Sequence, residues 1–194
     1  MVRGIALILL WAGTAVQVHA LTLSPTPIRE ELDGVVFERL GFADGSSTVV
    51  YSPPSEWTYG YAAPAFVLRP PDDARAVARI EIDTNPKAVI PFDEAGLVLL
   101  RADLLSGLPA GAQEARLDGE ELNPFRVAGH DTLLLTAAYA VNGLPFRQAV
   151  LYVNLAKRRL RFTFRAPESG FSKPFGAFRQ SIFSWYWTPS EPAT

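Results

Sequence analysis

The fold is decided by one stretch, residues 132–165, which reads TLLLTAAYAVNGLPFRQAVLYVNLAKRRLRFTFR. Its three apolar and β-branched runs, each of strand length, lie at residues 132–141, 147–155 and 158–165. Asn142-Gly143 between the first two runs is favoured turn chemistry for a hairpin. A tight turn near Ala156 and Lys157 would fold the third run back onto the second. The stretch therefore predicts three consecutive antiparallel strands.

The last two of these predicted strands sort their residues by face. Pairing about residues 156–157 sets apolar residues opposite apolar ones: Leu160, Phe162 and Phe164 opposite Val153, Leu151 and Ala149. The other face pairs Arg159 with Asn154, Arg161 with Tyr152, and Arg165 with Gln148. A period of two residues produces this separation in any strand with one buried face. The register thus predicts an apolar face and an arginine face on the same sheet.

Elements upstream and downstream of this stretch complete the fold class. Four further strand-like runs lie at residues 35–40, 48–51, 65–68 and 77–83. Residues 92–105 have helical apolar spacing and end before Gly107 and Pro109. A closing helix is predicted from one aromatic stripe, formed by Phe171, Phe175, Phe178, Ile182 and Trp185. The pattern predicts an α+β fold: a mostly antiparallel sheet of roughly six to eight strands with two main helices packed on it.

The N-terminus has the three-part pattern of a secretory signal. Arg3 supplies the positive charge, residues 5–12 form a charge-free apolar run, and Val18-His19-Ala20 fits a cleavage site. That run is too short to span a bilayer, which needs about 20 apolar residues. We predict a signal peptide at residues 1–20, an extended arm at 21–34, a single domain at 35–187, and a flexible tail at 188–194.

Composition narrows the classes of function. The chain has no cysteine, so neither a disulfide nor a lipid anchor is expected, and no stable membrane anchor remains after signal cleavage. Without Arg3, 17 basic residues face 20 acidic ones. This near balance argues against nucleic-acid binding, which requires a basic surface. The expected location is the periplasm or the extracellular space; the sequence leaves the oligomeric state open.

The order of these features resembles the PsbP-like fold. Three stretches support the resemblance: residues 49–57 (VVYSPPSEW), the segment from Val127-Ala128-Gly129-His130 to Tyr152, and residues 175–185 (FGAFRQSIFSW). The fold is shared by the P extrinsic subunit of photosystem II, Mog-type Ran-binding proteins and bacterial exported proteins. The resemblance implies a PsbP-like α/β sandwich over residues 35–187. It also implies an accessory role, because members of the family are generally not enzymes.

Two groups of residues are candidates for a ligand or partner surface. Arg159, Arg161 and Arg165, with Lys157 and Arg158 beside them, could accept an anionic ligand or an acidic protein partner. The other interpretation, which the sequence favours, is a solvated face that keeps the strands soluble. Trp57, Tyr59 and Tyr61 follow a Pro-Pro turn and form either an aromatic contact surface or a cap on the core.

Catalytic and metal-binding patterns are weak. The predicted mature chain has one histidine, His130, beside Asp131, and no serine lies in a nucleophile-elbow motif. A zinc site would have too few soft ligands, since the predicted mature chain has no cysteine and one histidine. Glu120 and Glu121 form an oxygen-rich pair that suits either a hard cation or a solvated loop. We therefore predict no catalytic residues, no metal and no cofactor.

Two functions are consistent with these features. The first is an exported, non-enzymatic accessory or binding module that acts through protein contacts. The alternative is a small-ligand receptor or hydrolase with a carboxylate- or arginine-lined pocket between a helix and the sheet. A deep cleft with converging Asp, Glu or Arg side chains would favour the alternative, and a flat, filled interface between helix and sheet would exclude it.

The predicted signal leads to a direct test. Cleavage after Ala20 gives an exported chain that begins at Leu21. N-terminal sequencing and intact mass of the protein from the exported fraction should report that start. A mature chain that still begins at Met1 would contradict the prediction.

Overall fold

The structure is a computed structural model that describes residues 21–83 and 89–189. The predicted signal peptide at residues 1–20 lies outside the described residues, as do residues 190–194 of the predicted tail. Within the described ranges, no helix combines the length and apolar character needed to cross a membrane.

Eleven strands and two α-helices make up the described chain. In chain order the strands are β1 (Thr26–Leu32), β2 (Val35–Asp44), β3 (Ser47–Tyr51), β4 (Thr58–Ala62), β5 (Ala65–Arg69), β6 (Val77–Asp83), β7 (Gln113–Leu122), β8 (Thr132–Val141), β9 (Leu144–Asn154), β10 (Arg159–Pro167) and β11 (Tyr186–Pro189). The helices are α1 (Glu94–Ser106), between β6 and β7, and α2 (Ser172–Ile182), between β10 and β11.

The strands form two antiparallel sheets. The smaller sheet has the order β1-β2-β3-β11, and the larger has the order β4-β5-β6-β10-β9-β8-β7. The predicted α+β class with two main helices is confirmed, but the strands divide between two sheets and outnumber the expected six to eight.

The register predicted for the central strands is confirmed. Strand β10 pairs with β9 so that Leu160 is opposite Val153, Phe162 opposite Leu151, and Arg161 opposite Tyr152. The connecting turn is tight, because the amide of Leu155 donates to the carbonyl of Arg158 over 2.9 Å. Strand β10 also pairs with β6, so it lies at the centre of the large sheet.

Four strands were not expected from the sequence. Residues 26–32 of the predicted arm pair with β2 as strand β1, and Tyr186–Pro189 pairs with β3 as β11. Strands β4 and β7 are the two edges of the large sheet. Both edges are almost wholly exposed, so neither has the apolar alternation that marks a half-buried strand.

An aromatic cluster between the two sheets forms the main core. The Trp185 ring centroid lies 5.2 Å from that of Phe162 on the large sheet, and 5.5 Å and 5.6 Å from Phe42 and Tyr51 on the small one. Helix α2 packs here through Phe178 and Ile182. The hydroxyls of Tyr51 and Ser181 hydrogen-bond over 2.8 Å, so the small sheet is also tied to α2.

A charged contact ties the small sheet to the turn between β9 and β10. Arg158 Nη1 donates to Asp44 Oδ1 over 2.8 Å, and Trp187 Nε1 donates to Asp44 Oδ2 over 2.7 Å. Arg158, predicted at one end of the arginine row, therefore has a structural partner in the other sheet.

Helix α1 begins at a capped N-terminus close to the preceding chain. The Asp93 carboxylate accepts a hydrogen bond from the Gly96 amide over 2.8 Å, which satisfies one free donor of the first turn. A Cβ at Gly96 would lie 1.8 Å from the Pro91 carbonyl oxygen. A glycine is therefore required in this first turn, although glycine lowers helix propensity.

The core predicts a clear stability contrast. Phe162 is 1% exposed, so Phe162→Ala should lower the free energy of unfolding by about 3–5 kcal/mol through lost burial and a cavity. Tyr61→Ala removes a similar ring that is 49% exposed and should cost less than about 1 kcal/mol. Urea unfolding followed by tryptophan fluorescence measures both, and equal losses would contradict this assignment of the core.

Candidate functional site

The large sheet has two unlike faces. One packs on the aromatic core; the other, here called the open face, carries the predicted arginines. Helix α1 covers part of the open face, where Leu100 and Leu104 pack on Leu133, Leu135 and Tyr152. The remainder of the open face, over β4, β5, β6 and β10, has no covering helix among the described residues.

A groove lies where α1 ends and the uncovered part of the open face begins. Its volume is about 270 Å³. Charged side chains from three elements line it: Arg79 and Glu81 from β6, Arg161 and Arg165 from β10, and Asp103 from α1. The groove thus brings two of the three predicted arginines together with residues that are distant in sequence.

Arg159 is buried beside the groove and joins α1 to the sheet. Only 3% of the residue is exposed, and its Nη2 lies 3.6 Å from Asp103 Oδ2 and 3.8 Å from Asp83 Oδ2. Its guanidinium sits 5.0 Å from the centre of the Tyr152 ring. A buried arginine needs such partners because an unpaired buried charge is strongly destabilising. Arg159 therefore has a structural role and is not available to contact a ligand or partner at the surface.

Arg161 is half-buried and is shared between two carboxylates. Its Nη2 donates to Glu81 Oε2 over 3.2 Å, and its Nη1 lies 3.8 Å from Asp103 Oδ2. Asp103 also accepts a hydrogen bond from the Tyr152 hydroxyl over 3.0 Å. Burial, together with the negative charge of Asp103 and this hydrogen bond, raises the pKa of Tyr152. Asp103 is thus the point at which α1 meets the arginine face.

Arg165 is the predicted arginine that has no ion pair within the described ranges. It lies opposite Gln148, which is 6% exposed and also lines the groove. The nearby Tyr139 hydroxyl is buried and has no hydrogen-bond partner among the described residues. Burial raises the pKa of Tyr139 to about 12, while the positive charge of Arg165 opposes this rise. Arg165 and the unpartnered Tyr139 hydroxyl therefore lie on the same face of the sheet, close enough for the arginine charge to act on the tyrosine.

The charges that line the groove do not cancel. Three arginines, Arg79, Arg161 and Arg165, face two carboxylates, Glu81 and Asp103. Arg79 and Arg161 both contact Glu81, at 3.4 Å and 3.2 Å. The formal excess is one positive charge, and the unpaired member is Arg165. This arrangement can bind an anionic oxygen group by charge-assisted hydrogen bonds.

The predicted aromatic group is divided by the structure. Trp57 is 8% exposed, and its ring packs 6.1 Å from Phe164 and 6.3 Å from Phe178. Tyr59 and Tyr61 on β4 are each 49% exposed. They pair with Leu68 and Phe66, so they belong to the core side of the sheet and not to the open face.

His130 lies away from the groove, in a short hairpin with turn residues Ala128 and Gly129. Both turn residues have positive φ, 48° and 83°, as a tight hairpin turn requires. Asp131 pairs with Arg126 over 3.0 Å. Two serines that could in principle act as nucleophiles are engaged elsewhere: Ser181 with the Tyr51 hydroxyl, and Ser184 with the backbone of Ser52.

Glu120 and Glu121 do not converge on a common point. Strand β7 carries them on successive positions and hence on opposite faces. Glu120 accepts hydrogen bonds from Arg101 at 2.7 Å and 2.9 Å, which lower the pKa of its carboxyl, and Glu121 lies 3.9 Å from Arg179. Across the described residues, no group of three or more His, Asp or Glu side chains is placed to hold a metal ion.

Sequence reasoning missed most partners of the arginines. Asp103 could not be predicted as a partner, because no local sequence pattern fixes the orientation of its helix. Tyr139 could not be predicted either, because it lies within an apolar run. The apolar–polar alternation of β6 could have predicted one set of partners for the arginines. It sets Arg79 and Glu81 on one face, and pairing of β6 with β10 would have placed them beside Arg161.

Comparisons with known proteins bear on the fold. Neither the family models nor the curated proteins contain a match to this chain. Among solved structures, the chain is similar to LpqN of Mycobacterium tuberculosis, described as involved in cell envelope biogenesis. The two share 18% identity over 86% of this chain and 91% of LpqN, with a TM-score of 0.51.

Two further matches have lower TM-scores. Cyanobacterial PsbP from Synechocystis is 12% identical over 84% of this chain and 92% of its own, with a TM-score of 0.45. A Pseudomonas aeruginosa protein of unknown function is 14% identical over 86% of this chain and 99% of its own, also with a TM-score of 0.45. The matches thus include a PsbP protein, the family that the sequence resembles, and the likeness is a distant one of fold.

The buried Tyr139 on the open face predicts a pH dependence of stability. The ordinary pKa of tyrosine is 10.0, and in the folded chain that of Tyr139 is about 12. Above pH 10 the unfolded chain loses this proton first, so stability should fall as the pH rises from 10 towards 12. Urea unfolding between pH 9 and pH 12 should show a shallower loss for Tyr139→Phe than for the wild type.

Tyr61→Phe, which removes an exposed hydroxyl, is the matched control. An unchanged slope in Tyr139→Phe would contradict the placement of the Tyr139 hydroxyl in the folded chain.

Proposed function

We propose that this chain is an exported, non-enzymatic binding module that receives an acidic side chain of a partner protein in the groove beside α1. The observation that carries the proposal is Arg165, which lines the groove, has no ion pair among the described residues, and shares its face of the sheet with the unpartnered Tyr139 hydroxyl. Arginine binds carboxylates through two parallel hydrogen bonds, which gives both affinity and orientation.

The size of the groove favours a side chain over a free metabolite. Sites for small organic ligands usually have volumes of about 300–1,000 Å³ and bury most of the ligand. The groove, at about 270 Å³, lies at the lower end of that range. It suits the end of one glutamate or aspartate side chain, with the rest of the partner outside.

The two carboxylates of the groove are engaged by Arg161, which supports binding over catalysis. A general acid or base must be free to exchange a proton with the substrate. Glu81 and Asp103 instead serve to hold arginine side chains in place. Export is supported by the signal pattern of residues 1–20.

A titration with defined anions tests the proposal. An acetylated and amidated hexaglutamate peptide is added to the ¹⁵N-labelled mature protein, and the Arg161 and Arg165 Nε–H signals are followed by NMR. We expect saturable shifts at Arg165 that weaken as salt is added. Arg165→Gln should lower the affinity about tenfold, the value of one charge-assisted hydrogen-bonded contact.

Arg116→Gln on exposed strand β7 is the matched control, because it makes the same change of charge away from the groove. Equal losses of affinity in both variants would mean that net charge alone causes the effect, which would contradict a specific site at Arg165. Glutarate and inorganic phosphate form the second arm of the test. If they bind as tightly as the peptide, the alternative of a small-ligand receptor replaces the protein-binding module.

A further inference from the structure

The four edge strands of the two sheets differ in their protection against pairing with another chain. An edge strand leaves every second backbone N–H and C=O without a partner, and proteins shield such edges with charges, prolines or bulges. Strand β1 contains Pro27, Arg29, Glu30 and Glu31, and β11 ends at Pro189. These two edges of the small sheet are therefore shielded in the usual ways.

The edges of the large sheet are unlike each other. Strand β7 has five charged side chains and two register shifts against β8. Strand β4 reads Thr-Tyr-Gly-Tyr-Ala, with no charge, no proline and no register shift against β5. All five of its residues are exposed. Among the described edges, β4 alone lacks every common shield.

The open face next to β4 is cationic. Arg69 pairs across from Thr58, so its side chain stands on the open face one strand from the edge. A shallow depression over β4, β5 and β6 is lined by Arg69, Arg79 and Arg165, and the last two also line the groove. Like Arg165, Arg69 has no ion pair in the part of the chain that the structure describes. The unshielded edge and the groove thus belong to one continuous surface.

We infer that β4 is a docking edge to which an extended, acidic segment of a partner protein adds as a further strand of the large sheet. This inference rests on the proposed function and specifies the binding mode of the partner. Main-chain hydrogen bonds to β4 supply affinity that is independent of sequence, while alternate side chains of the added strand face the arginines.

The geometry allows both contacts at once. Strands in a sheet are about 4.8 Å apart, so an added strand lies ~10 Å from the backbone of β5. The combined reach of an arginine and a glutamate side chain covers that separation. The β4 residues on the open face, Thr58, Gly60 and Ala62, are small and leave the path to Arg69 clear.

Charge selects the acidic segment over a second copy of this chain. The open face beside β4 presents three arginines, and β4 itself offers no carboxylate to a symmetry mate. Self-pairing through β4 would therefore leave these arginines without new partners.

The test uses two peptides that differ only in the backbone. The probe is acetyl-Thr-Glu-Val-Glu-Val-Glu-Thr-amide, whose glutamates all lie on one face when it is extended. The control has the same side chains but is N-methylated at alternate residues, which removes main-chain donors along one edge. Binding to the mature protein is measured by calorimetry, and protection of β4 amides by hydrogen exchange. We expect the N-methylated peptide to bind at least tenfold more weakly.

A matched pair of substitutions tests the surface itself. A Cβ at Gly60 would meet no atom within 4 Å, so Gly60→Glu and Gly60→Lys both fit the folded chain. Gly60→Glu should weaken binding of the probe at least fivefold through repulsion, whereas Gly60→Lys should retain or strengthen it. Arg69→Gln should weaken it severalfold.

The outcomes separate this inference from the proposed function. Equal binding of the methylated and unmethylated peptides would overturn strand addition and leave the arginine groove intact. A monomer–dimer equilibrium abolished by Gly60→Glu would also overturn it, because the occupant would be a second copy. If hexaglutamate does not shift the Arg165 signal, the proposed function fails and the acidic partner of this inference fails with it, even if the unmethylated peptide protects the β4 amides.

Discussion

Strand β10 imposes the constraint on which the rest of the structure depends. Its phenylalanines and its arginines lie on opposite sides of the strand. One side of the central strand must therefore pack into an aromatic core, while the guanidinium groups on the other side need polar or charged partners. The first requirement is met by the small sheet and α2, through Phe42, Tyr51 and Phe178. For Arg159 and Arg161 the second is met by carboxylates from β6 and α1, whereas Arg165 has no ion pair among the described residues. Two unlike layers therefore cover one sheet, because a single strand demands both.

The position of α1 follows from this electrostatic requirement as well as from apolar packing. Leu100 and Leu104 supply the packing, yet apolar contacts alone would tolerate small shifts of the helix. Asp103 lies between Tyr152, Arg159 and Arg161, which fixes where the helix ends relative to β10. Since this end of α1 forms one wall of the groove, the shape of the candidate site depends on the ion pairs that Asp103 makes with the arginines.

The sequence predicted the central strands down to the register, because their periodicity is set by burial on one side and charge on the other. It did not predict β4 or β7, whose exposed residues show no such period. It placed Arg159, Arg161 and Arg165 on one face correctly, but their unequal burial depends on where α1 lies. Trp57 was linked to Tyr59 and Tyr61 by proximity in sequence, whereas the fold turns its ring into the core.

The unlike edges of the large sheet also limit stoichiometry. Open-ended growth of a β-sheet requires that each added unit present a fresh receptive edge. Here the charged and irregular β7 closes the far side of the sheet, so a molecule docked on β4 cannot be followed by another at the opposite end. The large sheet therefore has one unshielded edge among the described residues, an asymmetry that favours a capped complex over open-ended growth.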